Sequence, residues 1–452
     1  CVVHYSLINQ VIIMNSQTPQ HHIVIIGGGA GGLELATTLG RKLGKKGLAR
    51  ITLVDKSLTH IWKPLLHEVA AGSLDSGANE INYRAHARRH NFEFQMGAMH
   101  GLDRENQQIL VAPIYDEYGE LVVNERQISY SSLVIAVGST ANDFGTEGAA
   151  TNCIFLDSLE QARRFHGHLL NSFLKSEYDA SHKQSHPIDI AIIGAGATGV
   201  ELAAELHLAS QELPSYGLNH LKQNDVRISV IEAADRILPA LPEHLSSAAT
   251  RELGRLNIKV LTSNRVTRIT EDVIEFADGA HLNASIKVWA AGIKAPDFLA
   301  QLEGLEINRI NQLVVHQTLQ TTQDKNIFAF GDCASCPQPN SDRPVPPRAQ
   351  AAHQQASTLA VTLARRLKGE EPVPYLYRDY GSLISFSRYT AVGNLMGKLV
   401  GKNLMVEGRI ARMFYVSLYR MHQIALHGFF RTSLIWLNDK INRALQPRLK
   451  LH

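Results

Sequence analysis

Twice along this chain an apolar run meets three spaced glycines and then a helix-like sequence, and each time a second apolar run ending in an acid follows. The first instance is Ile23-Val-Ile-Ile-Gly27-Gly-Gly29-Ala-Gly-Gly32-Leu-Glu-Leu-Ala36, with Arg50-Ile-Thr-Leu-Val-Asp55 after it. The second is Ile188-Asp-Ile-Ala-Ile-Ile-Gly194-Ala-Gly196-Ala-Thr-Gly199-Val-Glu-Leu-Ala, followed by Val226-Arg-Ile-Ser-Val-Ile-Glu232. Few folds accept such a pattern. A continuous apolar run suits a parallel strand buried on both faces. Glycines at this spacing meet three demands that each exclude a Cβ: a tight turn, close approach to a pyrophosphate, and packing of helix on strand. The pyrophosphate would rest on the amides and positive dipole end of the helix that follows. Asp55 and Glu232 stand where an acid accepts the hydroxyls of a ribose. One such glycine motif is weak evidence, but strand, glycines and acid in register, and then repeated, point to two dinucleotide sites.

Two sites in one chain suggest a flavin held by one unit and a nicotinamide nucleotide visiting the other. The expected fold is α/β: two Rossmann-like dinucleotide-binding domains, each three-layered around a parallel sheet, plus a C-terminal amphipathic helical region. A length of 452 residues suits two or three domains. Mirrored strand endings support the duplication, Leu133-Val-Ile-Ala-Val-Gly138 in one unit and Ile286-Lys-Val-Trp-Ala-Ala-Gly292 in the other. The first unit is expected over 20–150 and the second, inserted, over 151–315; the first resumes over 316–380 and the C-terminal region covers 381–452. Short alternating runs from Phe92 to Tyr130, with a polar turn at Asp116-Glu-Tyr-Gly119, read as an antiparallel excursion. Where the first unit resumes, Asn326-Ile-Phe-Ala-Phe-Gly331-Asp332 reads as a strand delivering an aspartate at a glycine turn. That carboxylate can accept from a ribityl hydroxyl, with the amides of the next helix receiving a phosphate.

Hydrophobic content of 44% and charged content of 19% exclude a disordered chain. The four cysteines, Cys1, Cys153, Cys333 and Cys336, do not make a disulfide scaffold, so a reducing compartment is expected. Nothing reaches the ~18 uninterrupted apolar residues of a spanning helix. Residues 1–13 are apolar without a basic leader, which argues against a signal peptide; 1–19 reads as an N-terminal extension, with Met14 the expected start. The net charge is +3, yet the stretch from Lys402 to His452 carries nine Lys or Arg against two acids. A weakly acidic body with a basic tail points to an anionic partner for the tail.

Four segments invite a functional reading beside a bland one. In His60-Ile-Trp-Lys63-Pro64-Leu-Leu-His-Glu-Val-Ala-Ala-Gly72, Pro64 can open a helix and Gly72 close it; the segment either covers the flavin or simply packs. Cys333-Ala-Ser-Cys336 has redox-dithiol spacing, but it follows the ribityl-binding aspartate rather than facing the flavin ring, and no second pair accompanies it for zinc. Gln350 and Gln354, four apart on one helix face, either line an opening for a carbonyl-bearing ring substrate or face solvent. From Gly408 to Arg431 a helical pattern puts Arg409, Arg412, Arg420, Gln423, His427 and Arg431 on one side and Phe414, Leu418, Met421, Ala425 and Phe429 on the other. A basic, aromatic-rich amphipathic helix of this kind suits a membrane interface with anionic headgroups; a core helix or a dimer interface is the alternative.

With these residues assembled, the chain from about Gln20 to His452 resembles the bacterial type II NADH:quinone oxidoreductases, the single-subunit respiratory NADH dehydrogenases that do not pump protons. The likeness rests on Gly27–Gly32, Trp62-Lys63-Pro-Leu-Leu-His-Glu-Val-Ala, Gly196-Ala-Thr-Gly199-Val-Glu201-Leu, Trp289-Ala-Ala-Gly292, Gly331-Asp332-Cys-Ala, Ala349-Gln350-x-Ala-x-Gln354 and the tail Tyr419-Arg-Met-His-Gln-Ile-Ala-Leu-His-Gly. It implies non-covalent FAD on the first unit, with Lys63 and Gly138 among its contacts, and NADH on the second. It further implies a membrane quinone near Gln350 and Gln354, and Glu201 as the acid near nicotinamide and flavin; as a bland alternative Glu201 is a favourable charge near a helix N-terminus. The implied location is the cytoplasmic face of the bacterial inner membrane, held peripherally on anionic lipid, with no nucleic-acid partner and the oligomeric state, a homodimer included, left open. Glu232 at the ribose position favours NADH over NADPH, and Arg236 nearby weakens that preference. The rivals are a flavin disulfide reductase or sulfide:quinone oxidoreductase, which needs a cysteine pair at the flavin, and a non-respiratory nucleotide-binding flavoprotein. Residues 1–13 have no counterpart in the resemblance.

Overall fold

The computed structural model describes residues 20–182, 187–220, 225–339, 341–386, 390–395, 404–407 and 419–445. The extension 1–19 and the first half of the expected amphipathic helix, 408–418, lie outside them.

Each glycine strand is the centre of a parallel sheet. In the first sheet the order is Gln320–Thr321, Asp324–Ala329, Ser132–Ile135, His22–Ile26, Arg50–Asp55, Glu93–Met96, with only Gln320–Thr321 antiparallel. The second sheet is parallel throughout, in the order Ile154–Phe155, Ile286–Trp289, Ile188–Ile193, Val226–Ile231, Lys259–Leu261. In both, the glycine strand lies between the acid-ended strand and the strand that runs on to a second glycine. The strands are apolar without alternation because helices cover the sheets: Ile23, Val24, Ile25 and Ile190, Ala191, Ile192 are all buried.

Around the first sheet one core runs from Ile23 to Ala136 and again from Ala295 to Tyr375, with Leu426 joining it from the C-terminal region. Ala295, Leu299, Leu302 and Leu313, which the sequence reading assigned to the inserted unit, pack in this first core. The two units are joined where the mirrored strand endings meet, Thr140 opposite Lys294 and Ala141 opposite Ile293 in an antiparallel ribbon.

The excursion at 92–130 is antiparallel only in part. Glu93–Met96 joins the main parallel sheet, while Met99–Asp103, Gln108–Val111 and Arg126–Ser129 form an antiparallel sheet beside it. Ile114–Tyr115 and Leu121–Val123 make a small hairpin. Its turn is set by Asp116, whose carboxylate accepts the amides of Tyr118 and Glu120.

The C-terminal region is not wholly helical. It opens with a three-stranded antiparallel sheet, Gly381–Phe386, Thr390–Leu395 and Leu404–Glu407. A helix over 419–427 then breaks at Gly428, at φ +80°, before Phe429–Leu445. The first helix does not turn the apolar side of the expected pattern into the body. Gln423 and His422 are buried with Leu426, whereas Met421 and Ile424 are exposed. Docking decides this: the chain body offers polar and aromatic partners, His60 and Trp62 among them, so the side carrying His422 and Gln423 is the one that turns inward.

Candidate active site

The two glycine turns meet the same constraints at their three spaced glycines. Gly27 has φ +97° and Gly194 φ +105°, and a Cβ on either would press on the backbone of the neighbouring strand's extension, Ala136 in one case and Ala291 in the other. A Cβ on Gly32 would lie 1.9 Å from the Gly27 carbonyl oxygen, and one on Gly199 would lie 2.0 Å from that of Gly194. The middle glycines differ in kind, since a Cβ on Gly29 or Gly196 would meet nothing within 4 Å. Those two positions border open space at the head of the helices Ala30–Lys42 and Ala197–Glu212, and neither helix has a side chain capping its first amides. Free amides, a positive dipole end and a space that a methyl group would fill suit the pyrophosphate of a dinucleotide. The residues therefore fit one dinucleotide in each unit.

The acids tie each turn to its sheet. Asp55 accepts the amides of Gly28 at 2.6 Å and Ser57 at 2.8 Å. Glu232 accepts those of Ala195 at 2.9 Å and Ala234 at 3.0 Å. Each carboxylate oxygen keeps a further lone pair for a ribose hydroxyl. Burial pushes the Asp55 carboxyl up from the usual range, and the Ser57 and Gly28 amides oppose that shift. Arg236, which on sequence could have favoured a 2′-phosphate, is engaged within its own loop, donating to the carbonyls of Leu241 and Pro239.

Between the units lies a polar cluster built from distant segments. Pro64 sits in a tight turn, Lys63–Leu65, that leads into the helix Leu66–Ala70. From this turn the Lys63 ammonium donates to the Ser139 carbonyl at 2.8 Å and pairs with Asp157 at 3.2 Å. Ser139, directly after Gly138, donates its hydroxyl to Asp332 at 2.8 Å. Burial raises the Asp332 carboxyl, while Ser139 and the charge of Lys63 pull it back. The glycine beside it, Gly331, donates its amide to Gln355 at 2.8 Å. The next α-helix after Asp332 is Ala349–Arg366, reached through a short turn and the strand Ala334–Ser335.

Glu201 does not act as a first-turn charge. It lies in the buried interior of its helix and accepts the Ser385 amide at 3.0 Å, 3.9 Å from His67 Nδ1. It thus joins the second glycine helix, the segment after Lys63 and the first C-terminal strand. Burial drops the His67 pKa to about 4, so its ring is neutral at pH 7.

Gln350 and Gln354 do share a face, and both are half-buried against the segment 378–381. Gln350 donates to Asp379 and to the Gly381 carbonyl and accepts the Tyr380 amide; Gln354 donates to the Arg378 carbonyl and accepts its amide. The two amides clip this segment to the helix. Between them His353 pairs with Glu34 of the first glycine helix at 2.8 Å, which raises the His353 pKa.

The cysteines are placed away from such chemistry. Cys153, Cys333 and Cys336 are buried free thiols, with burial pushing Cys333 up to about 11 and Cys336 up to about 12. Cys333 donates to the carbonyls of Phe330 and Ile135, as a packed core residue does. Sequence reasoning missed Ser139, Asp157, Gln355, Tyr83 and the partnership of His60 with the first glycine turn. Only Ser139 and Gln355 carried a signal, by adjacency to Gly138 and Gln354.

Residues 21–356 match the family described as pyridine nucleotide-disulphide oxidoreductase. The chain is 48% identical over 95% of its length to the type II NADH:quinone oxidoreductase of Haemophilus influenzae, all of which is covered. It is 30% identical to the enzyme of that name from Staphylococcus aureus, over 84% of this chain and 91% of that one. Its fold is that of NDH2 from Plasmodium falciparum in complex with NADH, with a TM-score of 0.79 and 20% identity over 95% of this chain and all of the other. With its paired glycine turns and this full-length likeness, the chain belongs to the pyridine nucleotide-disulphide oxidoreductase family and, within it, to the type II NADH:quinone oxidoreductases.

Proposed function

We propose that the protein oxidises NADH and reduces a membrane quinone to the quinol through non-covalent FAD, without pumping protons. The observation that carries this reading is the duplication of one open glycine turn and one ribose-directed acid, which gives a resident dinucleotide and a visiting one separate seats. Bound FAD would supply two-electron chemistry between nicotinamide and quinone, the quinol receiving with those electrons the proton carried by the hydride and one from solvent. The polypeptide contributes placement. The first turn and Asp55 would hold the adenylate end and pyrophosphate of FAD, with Ser139, Asp332 and Lys63 placed to meet its ribityl chain. Gly194, Gly196, Gly199 and Glu232 seat NADH; an anionic Glu232 repels a 2′-phosphate, and the commitment of Arg236 to its own loop leaves that repulsion uncompensated. Glu201 and the loop clipped by Gln350 and Gln354 border the reacting ring, the two glutamines shaping the quinone's entrance through the segment they hold.

Membrane association belongs to the same proposal. Among the described residues no helix is long and apolar enough to cross a membrane. Helix Phe429–Leu445 instead exposes Phe430, Leu434, Leu437 and Ile441 along one stripe, with Phe429 and Trp436 beside it. Such a stripe, on a basic tail, suits peripheral binding to an anionic lipid surface on the cytoplasmic face.

Stopped-flow absorbance tests the reading. NADH should bleach the flavin band of the anaerobic holoprotein, and a short-chain quinone should restore it. A protein that takes up no flavin, or whose reduced flavin ignores quinone, would overturn it.

A further inference from the structure

Gly28 lies in the middle of the first glycine turn, and the peptide groups on either side of it are both held. Its N–H donates to Asp55 at 2.6 Å. Its carbonyl oxygen accepts the Tyr83 hydroxyl at 2.7 Å and His60 Nδ1 at 2.9 Å, both from buried side chains. A carbonyl only accepts, so His60 carries its proton on Nδ1, and Nε2 of the neutral ring presents a lone pair. Burial holds the His60 pKa down to about 4, which keeps that ring neutral at pH 7. The lone pair meets His422 Nε2 at 3.1 Å, so His422 is the donor.

His422 comes from the helix over 419–427, far along the chain. Two further contacts seat this helix. The Trp62 ring packs against His422 and Tyr419, with centroids 4.8 Å and 4.9 Å away. Arg41, in the last turn of the helix that the first glycine turn opens, donates to the carbonyls of Ala425 and Leu426 at 3.2 Å and 2.6 Å. These are the end carbonyls that a helix cannot satisfy itself, and Leu426 is buried in the first core.

We propose that helix 419–427 is a latch on the flavin turn. The line from His422 through His60 to the Gly28 carbonyl fixes the peptide beside which the FAD pyrophosphate sits, so flavin retention depends on a segment outside the dinucleotide domain. The proposal rests on the assignment of FAD to the first unit. In a run of three glycines, peptide rotation meets little steric resistance, so hydrogen bonds must supply the order that side chains do not. Without His422 the buried His60 Nε2 loses its partner, and the ring is free to leave the carbonyl. His60 and His422 are positioning residues in this scheme.

The test follows FAD release from holoenzyme, read as the rise of free-flavin fluorescence after dilution, and FAD uptake by the apoprotein. His422→Leu should speed release about tenfold, the effect of one buried hydrogen bond. His422→Gln, whose amide can donate from a similar place, should restore most of the loss. His60→Asn keeps a donor for Gly28 but offers no ring lone pair, so it should resemble His422→Leu, and combining the two should add little. NADH affinity, set at the second glycine turn, should not change in any of them, whereas general destabilisation would shift both ligands. If His422→Leu loosens its helix, seen as new protease cleavage there, the comparison of His60→Asn with His422→Gln still decides. Wild-type release rates in both His60→Asn and His422→Leu, or fully additive effects in the double variant, would overturn the latch. A wild-type chain that holds no FAD would remove the cofactor assignment itself.

Discussion

Alanine placed at Gly29 and at Gly196 should remove different ligands while leaving the fold alone. Neither added Cβ meets an atom within 4 Å. The backbone is also permissive, at φ −61° and ψ −174° for Gly29 and φ −71° and ψ −175° for Gly196. Alanine is at ease there, and by restricting the unfolded chain it should add about 0.4–1 kcal/mol of stability. The methyl group instead occupies the space into which a pyrophosphate must come. Losing one charge-assisted hydrogen bond from the helix amides is worth about 1.5–3 kcal/mol, or roughly 10- to 150-fold in affinity. Gly196→Ala should therefore purify with its flavin and show KM for NADH raised by that factor, with KM for quinone little changed. Gly29→Ala should purify flavin-poor. The flavin-to-protein absorbance ratio, steady-state kinetics and thermal melting read these outcomes. Gly32→Ala and Gly199→Ala serve as controls, since their Cβ atoms would lie 1.9 Å and 2.0 Å from a backbone oxygen and should lower the melting temperature. The reasoning fails if Gly196→Ala loses flavin, or if its KM for NADH is that of the wild type.

Three further outcomes follow from the same geometry. Serine at both Cys333 and Cys336 should leave NADH:quinone turnover within a few-fold of wild type, because these thiols are buried in the core; a loss beyond about a hundredfold in folded protein would restore the dithiol reading. Replacing Phe430, Leu434 and Leu437 by serine should abolish sedimentation with anionic vesicles while solution NADH oxidation persists, each residue contributing about 1.5–3 kcal/mol when buried in lipid. This set is a cleaner probe than truncation of the tail, which would also strip Leu426 from the first core. Burial holds His60 and His67 near 4, whereas unfolded histidine titrates near 6.5. The unfolded chain thus binds more protons below that value. Stability should be full above about pH 6.5 and fall as pH drops toward 4, by up to ~1.4 kcal/mol per unit for each ring. Urea midpoints at pH 7.5 and 5 that coincide would refute this.

The dinucleotide units were legible in the sequence because their requirements are local. A turn that excludes Cβ at fixed spacing, an apolar strand before it and an acid at the end of the next strand are all written within one short segment, and Gly27, Gly32, Gly194 and Gly199 make the tight turn and close packing their spacing assigns. The tail was read less well. Periodicity marked 419–427 as helical but could not say which side turns inward, and the helix buries His422 and Gln423. Which face of an amphipathic helix turns inward depends on the partner it meets, and His60, Trp62 and Arg41 are distant in sequence. The polar cluster of Lys63, Ser139, Asp157 and Asp332 has the same character, gathered from four separated segments. The sequence alone determined the two nucleotide seats, since steric exclusion acts between near neighbours in the chain. Only the tertiary structure decided which buried polar groups satisfy one another, because a hydrogen bond depends on where two groups lie in space and not on how far apart they lie along the chain.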